Sequence, residues 1–477
     1  MTPEDPQAED SGPDGRRGDT PEYPRADGSG PEACQNDTPE ESRAEGSGGE
    51  GQPGDRDRAG YAGGAEIRAM IDRYVDELMA AGAFESAAVE RAFRTVERHR
   101  LLETFYYRDA GRFVTLTHDP GRPRRDRLAL IYADTVLVTR RIGEVPASST
   151  SQASLVGRML ELLDLGEGMK ILEVGAGTGY NAALMAEIVG DQRLVVTVDV
   201  LEDVVEQTRR LLAGAGYPRI RVLLRDGFEG VSEHAPFDRI VATVGCSDLS
   251  PRWAEQLADD GVMLVPLEQT TGHPLMLIRK DGGTLRGRMV LRTGFIRVSG
   301  PLLIEDLWAR GVVMADPADL VHEPEPGPRF ASRPPDEPME LTDDETDFLF
   351  FLGLQDRRAC RAPHGPALSG ELDGWAALAP DGIWWWKDES LARELDRHYR
   401  DWDARGRPAL EDYQVSFVPT GQKDDPPGGW RTERRFYREL LTLQPEPAPS
   451  TSVPPSSAPS TSVPPSSAPS TSVPPAS

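Results

Sequence analysis

Three clusters in this 477-residue chain carry residue types suited to chemistry. The first is Leu172-Glu173-Val174-Gly175-Ala176-Gly177-Thr178-Gly179-Tyr180, spaced E-x-G-x-G-x-G. Glycines at alternate positions form a turn with no side chain between the backbone and a ligand. Gly175, Ala176, Gly177 and Gly179 are therefore candidate contacts for a nucleotide-like group, with Glu173 before them and Tyr180 and Asn181 after. The spacing is not the dinucleotide fingerprint G-x-G-x-x-G. The second cluster is a pair of acids. Asp199, followed by Val200, falls roughly 20 residues after the glycines, where a carboxylate accepts hydrogen bonds from both ribose hydroxyls. Asp226-Gly227-Phe228 offers an acid for an adenine amine and a following amide for a ring nitrogen. The third is the hydroxyl-dense stretch Pro146-Ala147-Ser148-Ser149-Thr150-Ser151-Gln152, read as a loop just ahead of a helix, where free amides favour anions.

These residues need elements to hold them. Ile171 to Val174 is a short apolar run, read as a buried strand, and Asn181 to Val189 reads as an amphipathic helix. Leu194 to Val200, Ile220 to Leu224, Phe237 to Val244 and Gly261 to Pro266 continue as strands, with Leu275 to Arg279 and Met289 to Phe295 after them. A helix through Val204, Val205, Thr208 and Leu211 sits between the second and third strands. This alternation predicts an α/β, doubly wound sheet whose acids and glycines gather at the strands' carboxyl ends, where open parallel sheets bind ligands. Ahead of it, Ile67, Met70, Ile71, Tyr74, Val75, Leu78 and Met79 make one helical stripe ending at Gly82. Val89, Phe93 and Val96 make a second helix. Leu128 to Arg140 reads as β-rich, and Ser154 to Leu163 as a helix.

The formal charge of −26 argues against nucleic acid or an anionic membrane as partner. The three cysteines, Cys34, Cys246 and Cys360, have neither disulfide-framework nor zinc spacing, which fits a reducing cytoplasm. No metal-ligand cluster accompanies the clusters above. No signal peptide or membrane-length apolar run is visible. Residues 1–62 are acidic, rich in Gly and Pro, and expected to be disordered. The catalytic unit is placed at 63–312 and a Pro-rich linker at 313–340. An accessory α+β unit is expected at 341–444. It opens on a capping box, Thr342 with Glu345, ahead of Phe348 to Leu352, with Gly353 closing the helix. Its six tryptophans, with Leu391, Leu395, Tyr399 and Trp402 on one helix face, are read as its core rather than as a peptide groove. Tyr413 to Val418 alternates like a half-buried strand. Residues 445–477 repeat a ten-residue Pro/Ser/Thr unit from Thr451 and read as an extended spacer.

The E-x-G-x-G-x-G spacing is similar to that of class I S-adenosylmethionine-dependent methyltransferases. Several segments together resemble the protein-L-isoaspartate O-methyltransferase family across roughly 65–300. They are Thr150-Ser151-Gln152-Ala153, His234-Ala235-Pro236-Phe237-Asp238, Val96-Glu97-Arg98-His99-Arg100, Tyr132-Ala133-Asp134, Gly179-Tyr180-Asn181-Ala182-Ala183, Asp226-Gly227 and Gly294-Phe295. The resemblance implies a Rossmann-like sheet and transfer of methyl from S-adenosylmethionine to a carboxylate in a polypeptide. It implies that Ser151, assisted by Thr150, positions that carboxylate. Ser149, Glu173, the glycine turn, Asp199, Val200 and the 226–228 segment would hold the cofactor. A carboxylate is already ionised at neutral pH, so no general base or metal is required. A methylated aspartyl ester is then attacked by the next backbone nitrogen, giving a succinimide.

Two departures stand out. The family's loop proline is Ala153, and its small-residue segment after the fourth strand is here Thr243-Val244-Gly245-Cys246-Ser247. Thr243, Val244 and Gly245 lie where an acceptor should approach. With the long C-terminal unit, these departures look like the variant branch that modifies one Asp in lanthipeptides or graspetides, leading to aspartimide or isoaspartate. The alternatives are repair of damaged isoaspartyl residues in proteins and a non-catalytic module that binds S-adenosylmethionine or peptide.

Overall fold

The computed structural model describes residues 60–109, 112–281, 283–304, 307, 341–362, 365–370, 374–380, 382–421 and 429–443. The acidic N-terminal stretch up to residue 59, the whole Pro-rich linker at 313–340 and the repeat tail lie outside them. Gly60 to Ala62 are tied by backbone hydrogen bonds to Pro123 and Arg125. Helix α1 (Gly64–Ala80) buries Ile71, Tyr74, Val75 and Leu78, the i, i+3, i+4, i+7 stripe of an amphipathic helix. Helix α2 (Ala87–Thr95) starts on Ser86, whose hydroxyl accepts the Val89 amide. A short turn over Arg98–Leu101 leads to strands β1 (Thr104–Asp109) and β2 (Arg112–Thr117). Helix α3 (Arg125–Ile131) and strands β3 (Leu137–Ile142) and β4 (Val145–Thr150) follow.

Two sequence expectations are corrected here. The stretch from Leu128 is not β-rich throughout: it is the end of α3, with Leu128 and Ile131 buried three apart on one helix face. The hydroxyl stretch is not a loop but mostly strand, because Val145 to Thr150 pairs antiparallel with β3, Ser149 opposite Val138 and Thr150 opposite Leu137. These strands form a small antiparallel sheet in the order β2-β1-β3-β4.

Helix α4 (Ala153–Leu163) then enters the main sheet through β5 (Ile171–Val174), α5 (Tyr180–Val189), β6 (Val195–Asp199), α6 (Glu202–Gly214), β7 (Arg221–Leu224), β8 (Phe237–Ala242), α7 (Pro251–Gln256), β9 (Leu257–Pro266), β10 (Leu275–Asp281) and β11 (Thr284–Leu291). The last of these strands stops at Leu291 rather than Phe295. Strand β5 lies between β6 and β8, all parallel, while the chain runs outward to β7 on one side and to β9 on the other. The reversal of strand order therefore falls between β5 and β8, the position where open α/β sheets form a ligand crevice. This is the fold of a class I methyltransferase.

Beyond residue 340, α8 (Asp343–Gln355) begins with both bonds of the capping box, Glu345 N to Thr342 Oγ1 and Thr342 N to Glu345 Oε2. The helix runs past Gly353, which sits inside it so close to Thr270 that a Cβ would clash. Strands β12 (Ala359–Ala362), β13 (Gly365–Ser369), β14 (Trp375–Ala379) and β15 (Gly382–Trp386) make a third, antiparallel sheet. Helix α9 (Glu389–Ala404) buries Leu391, Leu395, Tyr399 and Trp402 against Phe348 and Leu352. Trp375 and Trp402 are core residues, as expected, while Trp384, Trp385 and Trp386 are half-buried.

Strands β16 (Tyr413–Pro419), β17 (Trp430–Glu433) and β18 (Tyr437–Leu443) extend the main sheet, because β16 pairs with β11. The full order is β17-β18-β16-β11-β10-β9-β8-β5-β6-β7. Tyr413, Val415, Phe417 and Leu441 share one core with Leu172, Val196, Ile240 and Met263. Each such fully buried side chain contributes about 1.5–3 kcal/mol.

Candidate functional site

At the end of β5 the chain turns on three glycines with positive φ: Gly175 (104°), Gly177 (53°) and Gly179 (80°). The neighbours explain the residue type. A Cβ on Gly175 would lie 2.6 Å from Thr243 Oγ1, and one on Gly179 2.8 Å from Leu212 Cγ. Thr243 follows β8 and donates its hydroxyl to Gly175 O at 2.7 Å, tying the two strand ends that flank the crevice. Asp199, at the end of β6, turns its carboxylate onto the same turn. Its Oδ2 accepts the Ala176 and Gly177 amides (3.1 and 3.5 Å) and its Oδ1 the Leu201 amide (3.1 Å). Burial raises the Asp199 carboxyl, while these amides pull it down. A carboxylate has about four acceptor positions, so Asp199 organises the turn and still has room for a ribose hydroxyl.

Glu173 is the most buried acid in the crevice, 1% exposed. Its Oε1 accepts Asn181 Nδ2 at 2.8 Å, and its Oε2 has no hydrogen-bond partner. Burial pushes its carboxyl up to about 7. Asp226 holds the amide of Phe228 at 2.9 Å.

The crevice opens into a cavity of about 1060 Å³. Its walls bring together Ser149, Thr150 and Ser151 from β4 and its end, and Glu173, Gly175, Ala176, Gly177, Tyr180 and Asn181 from the turn. Asp199, Val200, Asp226 and Gly227 line it from β6 and β7, and Thr243 and Val244 from β8. Three expected site residues do not line it. Gly179 begins α5 behind the turn. The Phe228 ring packs on Phe436, with centroids 5.0 Å apart. Gly245 is covered by His273 and donates its amide to Ile296 O. The sequence reading also missed part of the wall, the irregular stretch Leu291–Ser299 and the hairpin residues Val136, Val138, Ile142 and Val145. Within that stretch only Gly294-Phe295 is singled out by the sequence, as a family-like segment and not as wall, and no motif marks the hairpin residues, although β3 and β4 had to flank the hydroxyls.

The two motifs upstream of the sheet act on this wall. The Asp134 carboxylate accepts the Ser154 amide at 2.9 Å and Gln152 Nε2 at 3.0 Å, capping α4. Arg98 is wholly buried. It donates to Ser151 O (3.0 Å), Thr135 O (3.4 Å) and Tyr74 Oη (3.2 Å), and its guanidinium stands 5.5 Å from the Tyr180 ring centroid. One cation thus links the hydroxyl segment to the first residue of α5.

The family model for protein-L-isoaspartate(D-aspartate) O-methyltransferase matches residues 126–302, which hold almost all of this site. The chain is 37% identical over 195 residues to the protein-L-isoaspartate O-methyltransferase of Thermotoga maritima, covering 40% of this chain and 61% of that protein. It is 40% identical over 156 residues to the enzyme of that name from Methanococcoides burtonii, covering 33% of this chain and 74% of that protein. The chain belongs to the protein-L-isoaspartate O-methyltransferase family. A solved protein-L-isoaspartate O-methyltransferase is 25% identical, with a TM-score of 0.46, covering 78% of this chain and 99% of its own. Members of this methyltransferase family use S-adenosylmethionine, and the cradle fits it: a turn closed to any Cβ at Gly175, an unpartnered buried Glu173 oxygen, and Asp199 and Asp226 at successive strand ends. Among the described residues, no group of three or more His, Cys, Asp or Glu side chains is placed to hold a metal. No helix there is long and apolar enough to cross a membrane.

Proposed function

We propose that this chain is a carboxyl O-methyltransferase acting on an aspartyl-type carboxylate in a polypeptide. The observation that carries the reading is one cavity lined both by the glycine turn with its acids and by the hydroxyl segment Ser149 to Ser151. S-adenosylmethionine, when bound, supplies an electrophilic methyl group to the carboxylate oxygen. The chain's own part is positioning. Asp199 and Asp226 fix the nucleoside, Glu173 receives the amino group, and the Ser151 hydroxyl, with Thr150 beside it, donates to the acceptor. Arg98 holds the Ser151 carbonyl and so the angle of that hydroxyl. In-line approach in a site shielded from water accounts for rate without a general base.

The finer reading is that the acceptor is a normal Asp in a modified ribosomal peptide, its ester closing to aspartimide and then opening to isoaspartate. Two features favour it: the changed segment after β8 and a large C-terminal part packed beside it. Repair of isoaspartyl proteins is the competing acceptor class. The test is transfer of labelled methyl to three peptides: one with L-isoaspartate, its linear aspartyl counterpart, and a thioether-cyclised aspartyl peptide. Preference for the cyclised peptide supports tailoring; transfer to the isoaspartyl peptide alone establishes repair. Ser151→Ala should keep S-adenosylhomocysteine binding and lower transfer by roughly 10²-fold or more, as loss of a positioning group does. Unchanged transfer removes Ser151 from the mechanism.

A further inference from the structure

The segment His234-Ala235-Pro236-Phe237-Asp238 takes no part in the crevice. It leads into β8 from the opposite end of the sheet. There His234, Ala235 and Phe237 help enclose a second, smaller cavity of about 120 Å³. Its other walls come from the amino ends of the neighbouring strands. Lys170 stands just before β5, Arg193 just before β6, and Arg221 opens β7. Because β8, β5, β6 and β7 are adjacent in the sheet, cations far apart in sequence converge. Asp238 ties β8 to the start of β5 by accepting the Lys170 amide at 2.7 Å.

The charges around this cavity do not cancel. Glu233 is the one acid in its lining, and both Glu233 oxygens are taken by Arg225, at 2.8 and 2.9 Å. Arg193 is spent on Asp191, through Nε at 3.1 Å and Nη2 at 2.8 Å. Two cations are left over: among the described residues, Lys170 and Arg221 form no ion pair. Arg221 is nonetheless held in place, since its Nη1 donates to Arg193 O at 2.8 Å. Its remaining guanidinium donors are open to a ligand. Burial, then the Arg221 cation, holds the His234 imidazole below its ordinary 6.5. Glu233 opposes them, and Lys170 and Arg225 add to the same positive field. In a chain of net charge −26, a cavity faced by two uncompensated cations is a local reversal. Its size sets the ligand. A volume of about 120 Å³ is roughly four times the ~30 Å³ share of one liquid water and far below the roughly 300–1,000 Å³ of a site for a larger organic molecule.

We propose that this cavity binds a phosphate-sized tetrahedral oxyanion, free or as the terminal group of a small phosphomonoester, held by Lys170 and the Arg221 guanidinium with the His234 ring beside it. Arg221 offers a planar fork to two of the oxygens, and Lys170 a compact charge to a third. The four residues of β5 separate Lys170 from the glycine turn by roughly 13 Å, at ~3.3 Å per residue. The oxyanion and S-adenosylmethionine therefore bind at opposite ends of the same strand without competing.

The test is equilibrium dialysis of the full chain against radiolabelled inorganic phosphate, with ionic strength held constant by chloride. Saturable uptake of one phosphate per chain is expected, undiminished by saturating S-adenosylhomocysteine. Lys170 and Arg221 are both exposed. Lys170→Gln and Arg221→Gln should each weaken uptake by roughly tenfold, the worth of one charged hydrogen bond partly open to water, with the thermal midpoint in chloride unmoved. Arg158→Gln, on the wall of the main cavity, should leave uptake as it was. Unlabelled sulfate should displace the label. Displacement by phosphoserine as well admits phosphomonoesters to the site, and its failure restricts the site to the free anion. Absent or unsaturable uptake overturns the assignment. So does uptake that S-adenosylhomocysteine displaces, or that Arg158→Gln weakens while Lys170→Gln and Arg221→Gln do not.

Discussion

Replacing Glu173 by glutamine should stabilise the protein at alkaline pH and not at acid pH. The carboxyl is fully buried, and burial pushes it up to about 7 from an ordinary 4.5, with the Thr197 hydroxyl and the Asn181 amide pulling the other way. A carboxyl raised on folding holds its proton more tightly in the folded chain than in the unfolded one. Stability is then lost as pH climbs from about 4.5, and the loss is complete above about 7. At ~1.4 kcal/mol per decade, that window amounts to about 3 kcal/mol. Glu173→Gln removes the charge and keeps the acceptor for Asn181. It also sets an amide beside Thr197, its register partner on β6. Urea unfolding of parent and variant across pH 4–9 is the assay. Differences between the two curves isolate Glu173 from Asp248 and Asp347, both also raised to about 6 by burial. The variant should match the parent within a few tenths of a kcal/mol near pH 4 and exceed it by about 3 kcal/mol above pH 8. Cofactor affinity should fall at the same time under the proposed role of Glu173 in receiving the amino group. A variant less stable than its parent at pH 8, or a constant difference across the range, refutes the assignment of Glu173 as an unpaired buried acid retained for its ligand.

Other perturbations follow from the same geometry. Gly175→Ala forces a side chain onto a φ of 104° and a Cβ to 2.6 Å from Thr243 Oγ1. It should abolish S-adenosylhomocysteine binding by calorimetry and cost at least the roughly 1–3 kcal/mol of such backbone strain. Arg434→Met leaves the wholly buried Glu439 with only the Gln269 amide as partner and should cost about 3–5 kcal/mol in urea unfolding; Arg434→Met, Glu439→Leu together should recover only the part owed to the bare charge, since the Ser247 and Glu268 carbonyls still lose their donor. Thr342→Ala removes half of the α8 capping box and should cost about 1 kcal/mol; no change in midpoint would mean the helix start is held by packing alone.

The parts of the site that were legible in sequence are those whose chemistry restricts residue type. Only glycine tolerates the φ values and contacts of the turn, and acids at strand ends recur at a spacing set by the βα unit. The hydroxyl wall was legible as chemistry but not as structure. Pro146 and three successive hydroxyl residues carry loop composition, and only the pairing with β3 makes them a strand. Leu128 to Ile131 misled for the opposite reason. Its aliphatic run suits a strand, and its helical state rests on burying Leu128 and Ile131 on one face. The wall at Leu291–Ser299 carried only the Gly294-Phe295 resemblance, which named no role in the site.

The C-terminal part illustrates a deeper limit. The alternation of Tyr413, Val415 and Phe417 announced a half-buried strand, yet alternation cannot name the sheet that a strand joins. Its partner is β11, more than a hundred residues earlier. That pairing is sealed by polar contacts placed beside the acceptor wall. Arg434 donates to the carbonyls of Ser247 (2.6 Å) and Glu268 (3.0 Å), and Glu268 pairs with Arg297 on the cavity wall. Phe436 N is held by the Asp248 carboxylate, and Arg292 binds both Asp347 and Glu411. Deleting residues 341–443 would thus bare the β11 edge, strip the core around Phe350 and Tyr413, and release the segment after β8, all in one step. Lost activity in such a truncation could not separate recognition from folding. Point changes that keep the sheet closed can. Arg297→Gln sits on the cavity wall at the end of this chain of contacts, outside the buried pair. If the C-terminal part shapes the acceptor wall through Glu268, Arg297→Gln should raise KM for the peptide by roughly three- to tenfold, the worth of one charged hydrogen bond partly open to water, with the unfolding midpoint and KM for S-adenosylmethionine unmoved. An unchanged peptide KM would confine the role of residues 341–443 to holding the sheet together.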